Sequence, residues 1–182
     1  KDQSNTYRVA IQNAYNAQAT LSTLYPASGN SLADQLKIVA RLIGGGMKTP
    51  VYIVNHPNSH DTHVDQVVTG NTTTGSHANM LNILSKAINA FQNDITLMGK
   101  AANVTGMTFS EFGRRIINNA SMGTDHGVAA PVMFFGAALN AGMIGLSPDI
   151  PVTPTVTSQV PMQYDFRRLY STIMQDWMCM TP

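Results

Sequence analysis

The chain has 182 residues, of which 43% are hydrophobic and only 12% charged, and its formal net charge is +1. That length and apolar fraction suffice for a buried core and point to one domain, or a large piece of one. The near-neutral balance supplies no basic stripe for a phosphate backbone, which sets nucleic acid aside as a partner. No apolar run approaches the ~18 residues of a membrane span.

Apolar positions from Val9 to Leu24 recur at helical spacing and predict a first helix over 7–24, stopped by Pro26 and Ser28-Gly29-Asn30. A second is expected to begin at Ser31, with its hydroxyl as cap, and to run to Gly44-Gly45-Gly46. The β-branched run 50–55 reads as a buried strand ending in the polar loop 55–63. Ser76 opens a long amphipathic helix whose apolar face carries Met80, Leu84, Ile88, Phe91, Ile95 and Met98. Strands are predicted at 104–109 and 131–137, the second following the Gly-rich 123–127. The Pro-rich 147–161 reads as an extended loop, and a last helix, 165–178, takes Asp165 as its cap and packs Phe166, Leu169, Tyr170, Ile173 and Trp177. Helices alternating with short hydrophobic strands imply a parallel or mixed sheet with helices on its faces.

In an open α/β sheet, ligands gather beyond the carboxyl ends of strands. By that rule His56, His60, Asp61, His63 and Asp65 converge with Ser110, Glu111 and Arg114, and with Asp125 and His126 from the loop before the last strand. Mixed carboxylate and imidazole donors suit zinc or manganese, and the oxygen-rich positions tolerate magnesium or calcium. The alternative is that these are hydrogen-bonding residues of polar loops. Arg114 is either an anion-binding residue or the salt-bridge partner of Glu111. His56 reads as structural; His77, at the positive end of the long helix, is either a ligand or a histidine that hydrogen-bonds a loop; the methionines read as core filler and Cys179, beside Trp177, as a packed thiol.

The segments 60-HDTHVDQ-66, 76-SHANMLNILSKAINAF-91, 107-MTFSEFGRR-115, 120-ASMGTDHGVAAPVMFFG-136 and 165-DFRRLYSTIMQDWM-178 together resemble the bacterial DUF1501 family. The resemblance implies a branch of the alkaline phosphatase and sulfatase superfamily, with an α/β three-layer sandwich of mostly parallel sheet flanked by helices. It also implies a centre of one or two divalent metal ions. Asp61 and His63 would hold the first ion, Glu111 would stand where the superfamily has its Asp-His pair, and His126 would be the late histidine. Asp125 would ligate or orient His126, with Arg114 on the substrate anion. The family's usual Gly-aromatic lead is replaced by Asn58-Ser59-His60. The superfamily's nucleophile belongs to an amino-terminal half, so the chain resembles the carboxy-terminal half alone.

Two functions follow as expectations. One is an exported metal-dependent hydrolase acting on a small anionic phosphate or sulfate ester. The other is an exported binding or assembly protein that keeps the fold with an incomplete centre. Abundant Asn, Thr and Ser and the Lys1-Asp2-Gln3 start suit a processed, exported chain, and the resemblance implies a twin-arginine signal. Half of a sandwich would leave apolar faces and sheet edges open, so a partner is expected, either the amino-terminal segment of the same protein or another chain.

Overall fold

The computed structural model describes residues 2–56 and 60–181; the Asn58-Ser59 lead noted above lies outside them. Its centre is a helix pair. Helix α2, Ser31–Gly44, packs on α3, Ser76–Leu97, and α1, Asp2–Ala17, lies against α2. The interior is built from Leu32, Ala33, Leu36, Val39 and Ala40 of α2 with Ala87, Phe91 and Ile95 of α3. Ala40, Ala87 and Ala90 are completely covered, and these small side chains let the two backbones approach while Phe91 and Ile95 fill the remaining space. Each of those two large side chains contributes about 1.5–3 kcal/mol through burial.

The predicted first helix is shorter than its periodicity suggests, and the reason lies in α2 and α3. The Arg41 guanidinium stacks on the Tyr15 ring and donates to the carbonyls of Tyr15 and Gln18, each at 2.8 Å, taking the acceptors that a continuing helix would use. The next free N–H groups, of Leu21 and Ser22, turn inward to Asp94 Oδ1 at 2.7 and 2.9 Å. Asp94 is fully buried on α3 and thus ties the connecting segment to the core. Burial, followed by the charge of Asp94, pushes the nearby Tyr25 phenol well above its ordinary value. The cap of α2 is Asn30 rather than Ser31: its Oδ1 accepts from Ala33 N–H at 3.0 Å while its Nδ2 reaches the Ile83 carbonyl of α3.

The three-layer parallel sandwich is not what these residues form. Among the described residues there are two antiparallel pairs of strands. Strand β1, Gly106–Met107, pairs with β4, Phe134–Phe135, and β2, Gly113–Asn118, pairs with β3, Thr124–Gly127. The predicted strands at 104–109 and 131–137 are therefore present as short pieces that meet each other antiparallel. The run 50–55 is extended but joins no ladder. Tyr52 and Val54 face the helical core, whereas Ile53 is 78% exposed, and the backbone of Asn55 bonds to the Gln35 side-chain amide on α2 in place of a neighbouring strand. A β-branched run specifies extended backbone and one apolar face, and here helices α2 and α3 cover that face without a sheet.

The carboxy-terminal third is open. Residues 137–164 are irregular, as their prolines require, and Met143 is 94% and Val152 100% exposed. Helix α4, Phe166–Thr172, passes into a wider π turn over Ile173–Trp177. Its expected apolar face is not buried: Phe166, Tyr170 and Trp177 are exposed, and so is Cys179, which is not a packed thiol. The expected cap is in place, since Asp165 Oδ1 accepts from the Arg167 N–H at 2.9 Å and the Arg167 guanidinium pairs with both carboxylate oxygens. The hydrogen bonds from Arg167 hold this carboxyl down at about 2, against an ordinary 3.8. A depressed carboxyl contributes stability above its unfolded value and loses it as pH falls through the folded one. The cap is accordingly intact at pH 4 and given up near pH 2; a carbonyl-detected NMR titration of Asp165 with its midpoint near 3.8 would contradict this.

Candidate functional site

The site is assembled by three stretches lying side by side. The hairpin β2–β3 sets Arg114 directly opposite His126, so both side chains leave the same face. The turn joining the strands is organised by Asn119: its Oδ1 accepts from Ser121 and Gly123, and its Nδ2 donates to the His63 carbonyl at 2.8 Å. Loop 61–66 is laid along this turn through Val64 paired with Met122, Thr124 N–H to the Thr62 carbonyl, and Gln66 N–H to the Met122 carbonyl. Asp65 and Met122 both adopt positive φ to accommodate that alignment. Gly123 is required here, because a Cβ would overlap the carbonyl group of His63; a Cβ at Gly127 would likewise run into the backbone of Arg114.

The consequence is a compact group of donors. Asp61 Oδ1 lies 3.0 Å from His63 Nε2, 2.8 Å from His126 Nε2 and 2.8 Å from Arg114 Nη2. Asp61, His63 and His126 each offer one ligand atom, and the three atoms fall within 4.8 Å of one another. Behind His63, its Nδ1 faces Asp125 Oδ1 at 3.3 Å, and Asn119 Nδ2 donates to that same oxygen. The Phe112 ring stacks on His126 with centroids 3.7 Å apart, fixing the plane of the imidazole. The hydrogen bond from His126, with His63 and Arg114 nearby, holds the Asp61 carboxyl below its usual value; bonds from Asn119 and His63 do the same for Asp125. Both carboxylates are thus kept ionised.

Of the residues singled out from sequence, Asp61, His63 and His126 meet, and Asp125 stands directly behind His63. Glu111 is exposed just before β2 and lies outside the group. Arg114 pairs with Asp61 rather than Glu111. Its remaining bonds go to the His60 carbonyl, from Nε and Nη2, and to the Thr124 carbonyl, from Nη1. A guanidinium so engaged clamps the loop to β3 and positions Asp61. Arg115 reaches across to the carbonyls of His126 and Val156, fastening the Pro-rich loop beside the site.

The residues missed were Asn119 and Phe112. Asn119 sits between the Ile116-Ile117 pair and Gly123, a turn signal that points to the hairpin, whereas nothing local distinguishes Phe112 from a core aromatic. Near the group, His60 is held below the ordinary imidazole value, first by burial and then by the charges of His56, His77 and Arg114.

The architecture is therefore a helix-centred α+β domain that displays a cluster of carboxylate and imidazole groups on a hairpin. The chain belongs to DUF1501, a family described as a protein of unknown function, whose model matches residues 11–180. No curated protein and no solved structure matches it.

Proposed function

We propose that Asp61, His63 and His126 hold a divalent cation, and that this exported protein acts as a hydrolase on a phosphate or sulfate ester, the chemistry of the alkaline phosphatase and sulfatase superfamily. The observation that carries the reading is the carboxylate behind the imidazole. A neutral His63 has a single N–H, and placing it on Nδ1 toward Asp125 leaves Nε2 with its lone pair facing the cluster. Carboxylate, imidazole and metal in that order is how a ligating histidine is usually oriented.

The donor spacing fits as well. Ligands at about 2.1 Å around a tetrahedral ion lie about 3.4 Å apart, so the 2.8 and 3.0 Å contacts at Asp61 need to open by only a few tenths of an ångström, and on metal binding His126 Nε2 gives up the proton it donates to Asp61. One carboxylate and two imidazoles suit zinc or manganese best, with magnesium and calcium less suited. The bound ion would supply Lewis-acid polarisation and a lowered pKa for a coordinated hydroxyl. The chain's own contribution is to keep Asp61 ionised, hold the rings of His63 and His126 in plane, and present them on an open face that an anionic ester can reach.

A second reading, a binding or assembly role, draws on the exposed apolar side chains of Met143, Ile144, Leu146 and Val152. They would be covered by another chain or by an amino-terminal segment of the same polypeptide. Elemental analysis of purified protein, combined with turnover of p-nitrophenyl phosphate and p-nitrophenyl sulfate, separates the two. At least one metal ion per chain with metal-dependent turnover is expected for the hydrolase; metal-free protein without turnover, forming a stable complex with another chain, would favour assembly.

A further inference from the structure

A second group of imidazoles lies next to the first and shares no residue with it. His56 ends the extended segment 50–56, His60 precedes Asp61, and His77 occupies the first turn of α3. Their rings gather edge to face, with centroids 5.1 Å apart for His56 and His60 and 6.2 Å for His60 and His77. We infer that His56, His60 and His77 form a separate three-histidine site for a borderline divalent cation of the zinc or copper type, entered through Nδ1 of His56.

Two observations carry this. His56 Nε2 lies 3.4 Å from the Met80 carbonyl, which can only accept, so the ring proton belongs on Nε2. Nδ1 then holds an unprotonated lone pair, and that atom is buried with no hydrogen-bond partner among the described residues. A buried acceptor without a donor is destabilising, and a Lewis acid removes that cost. A histidine that gives one N–H to a backbone carbonyl and leaves the other nitrogen bare has the orientation that metal-binding histidines normally have.

The second observation is ring spacing. Imidazoles sharing one tetrahedral ion through bonds of about 2.1 Å have centres roughly 5 Å apart. His56 and His60 already meet this. His77 must swing inward, since the donor atoms of the three rings do not yet all lie within 4.8 Å of one another, a movement available to a partly exposed side chain whose backbone is anchored by its N–H to the Gln66 carbonyl. An all-imidazole donor set favours zinc, copper or nickel over magnesium and calcium.

The inference does not rest on the hydrolase reading, and one titration distinguishes them. Metal-free full-length protein is titrated with Zn²⁺ by calorimetry, alongside His77→Gln and Asp61→Asn. Each variant is expected to lose one equivalent of zinc, and the double variant to lose both. If the Asp61 centre fails, the wild type binds one equivalent, and His77→Gln alone abolishes it. Equal zinc stoichiometry and affinity in wild type and a folded His77→Gln would overturn the three-histidine site.

Should His77→Gln unfold, long-range ¹H–¹⁵N spectra of the wild type give the answer directly. Zinc should shift His56 Nδ1 to the metal-bound position. Unchanged nitrogen resonances of His56, His60 and His77 at saturating zinc would overturn the proposal.

Discussion

Asp61→Asn is expected to weaken divalent-cation binding at the hairpin cluster by about 100-fold or more. Loss of an outer partner of a ligand already costs about 10–100-fold, and here the anionic ligand itself is neutralised. Asp61 Oδ1 is the one atom on which His63, His126 and Arg114 all converge. Asparagine keeps the shape and one acceptor oxygen, so the loop can remain clamped by Arg114 while the negative charge disappears. Calorimetric titration with zinc, paired with a thermal melt, makes the check. A folded variant with unchanged affinity would remove Asp61 from the ligand set.

The largest effect on stability is expected away from the site. Asp94→Ala should cost about 3 kcal/mol, because the N–H groups of Leu21 and Ser22 lose their shared acceptor, and orphaning a buried donor costs about 1–3 kcal/mol. The deleted carboxylate also leaves a void between α3 and the segment after α1. Urea unfolding followed by circular dichroism measures the change. A loss below about 1 kcal/mol would mean that segment 18–24 is not held by this residue. A variant of this kind should leave zinc binding unaltered once folded, which separates scaffold from site.

Much of the helical half could be read from residue order. Helix α3 begins at Ser76 as its apolar spacing and the preceding glycine require, and Asp165 caps α4, because both features depend on contacts within one turn. The sheet could not be read in the same way. The runs 50–55, 104–109 and 131–137 specify extended backbone, but which strand each pairs with, and in which direction, is decided by long-range packing. The α2–α3 pair covers the first run and leaves the other two to meet as a two-residue ladder.

The candidate centre divides along the same line. Asp61, His63 and His126 were recognisable as donors in neighbouring loops, yet Glu111, from an equally suggestive motif, is exposed before β2 and stands apart. The Gly-rich residues of strand β3 resemble a loop in sequence, which hides the opposition of Arg114 and His126 and with it the assignment of Arg114 to clamping.

The crowding at Gly123 and Gly127 bears on how variants of this chain are to be understood. Neither residue has a side chain to offer a cation, yet each marks a spot where two backbones nearly touch, one beneath His63 and one beneath Arg114. Adding a single methyl group would pry the loop off the hairpin at Gly123, or part the two strands of the hairpin at Gly127, and spread the donors with every ligand still present. Damage of that sort would mimic a lost ligand in any functional screen. The boundary of the centre is therefore drawn by bare backbone as much as by the histidines and the aspartate that line it.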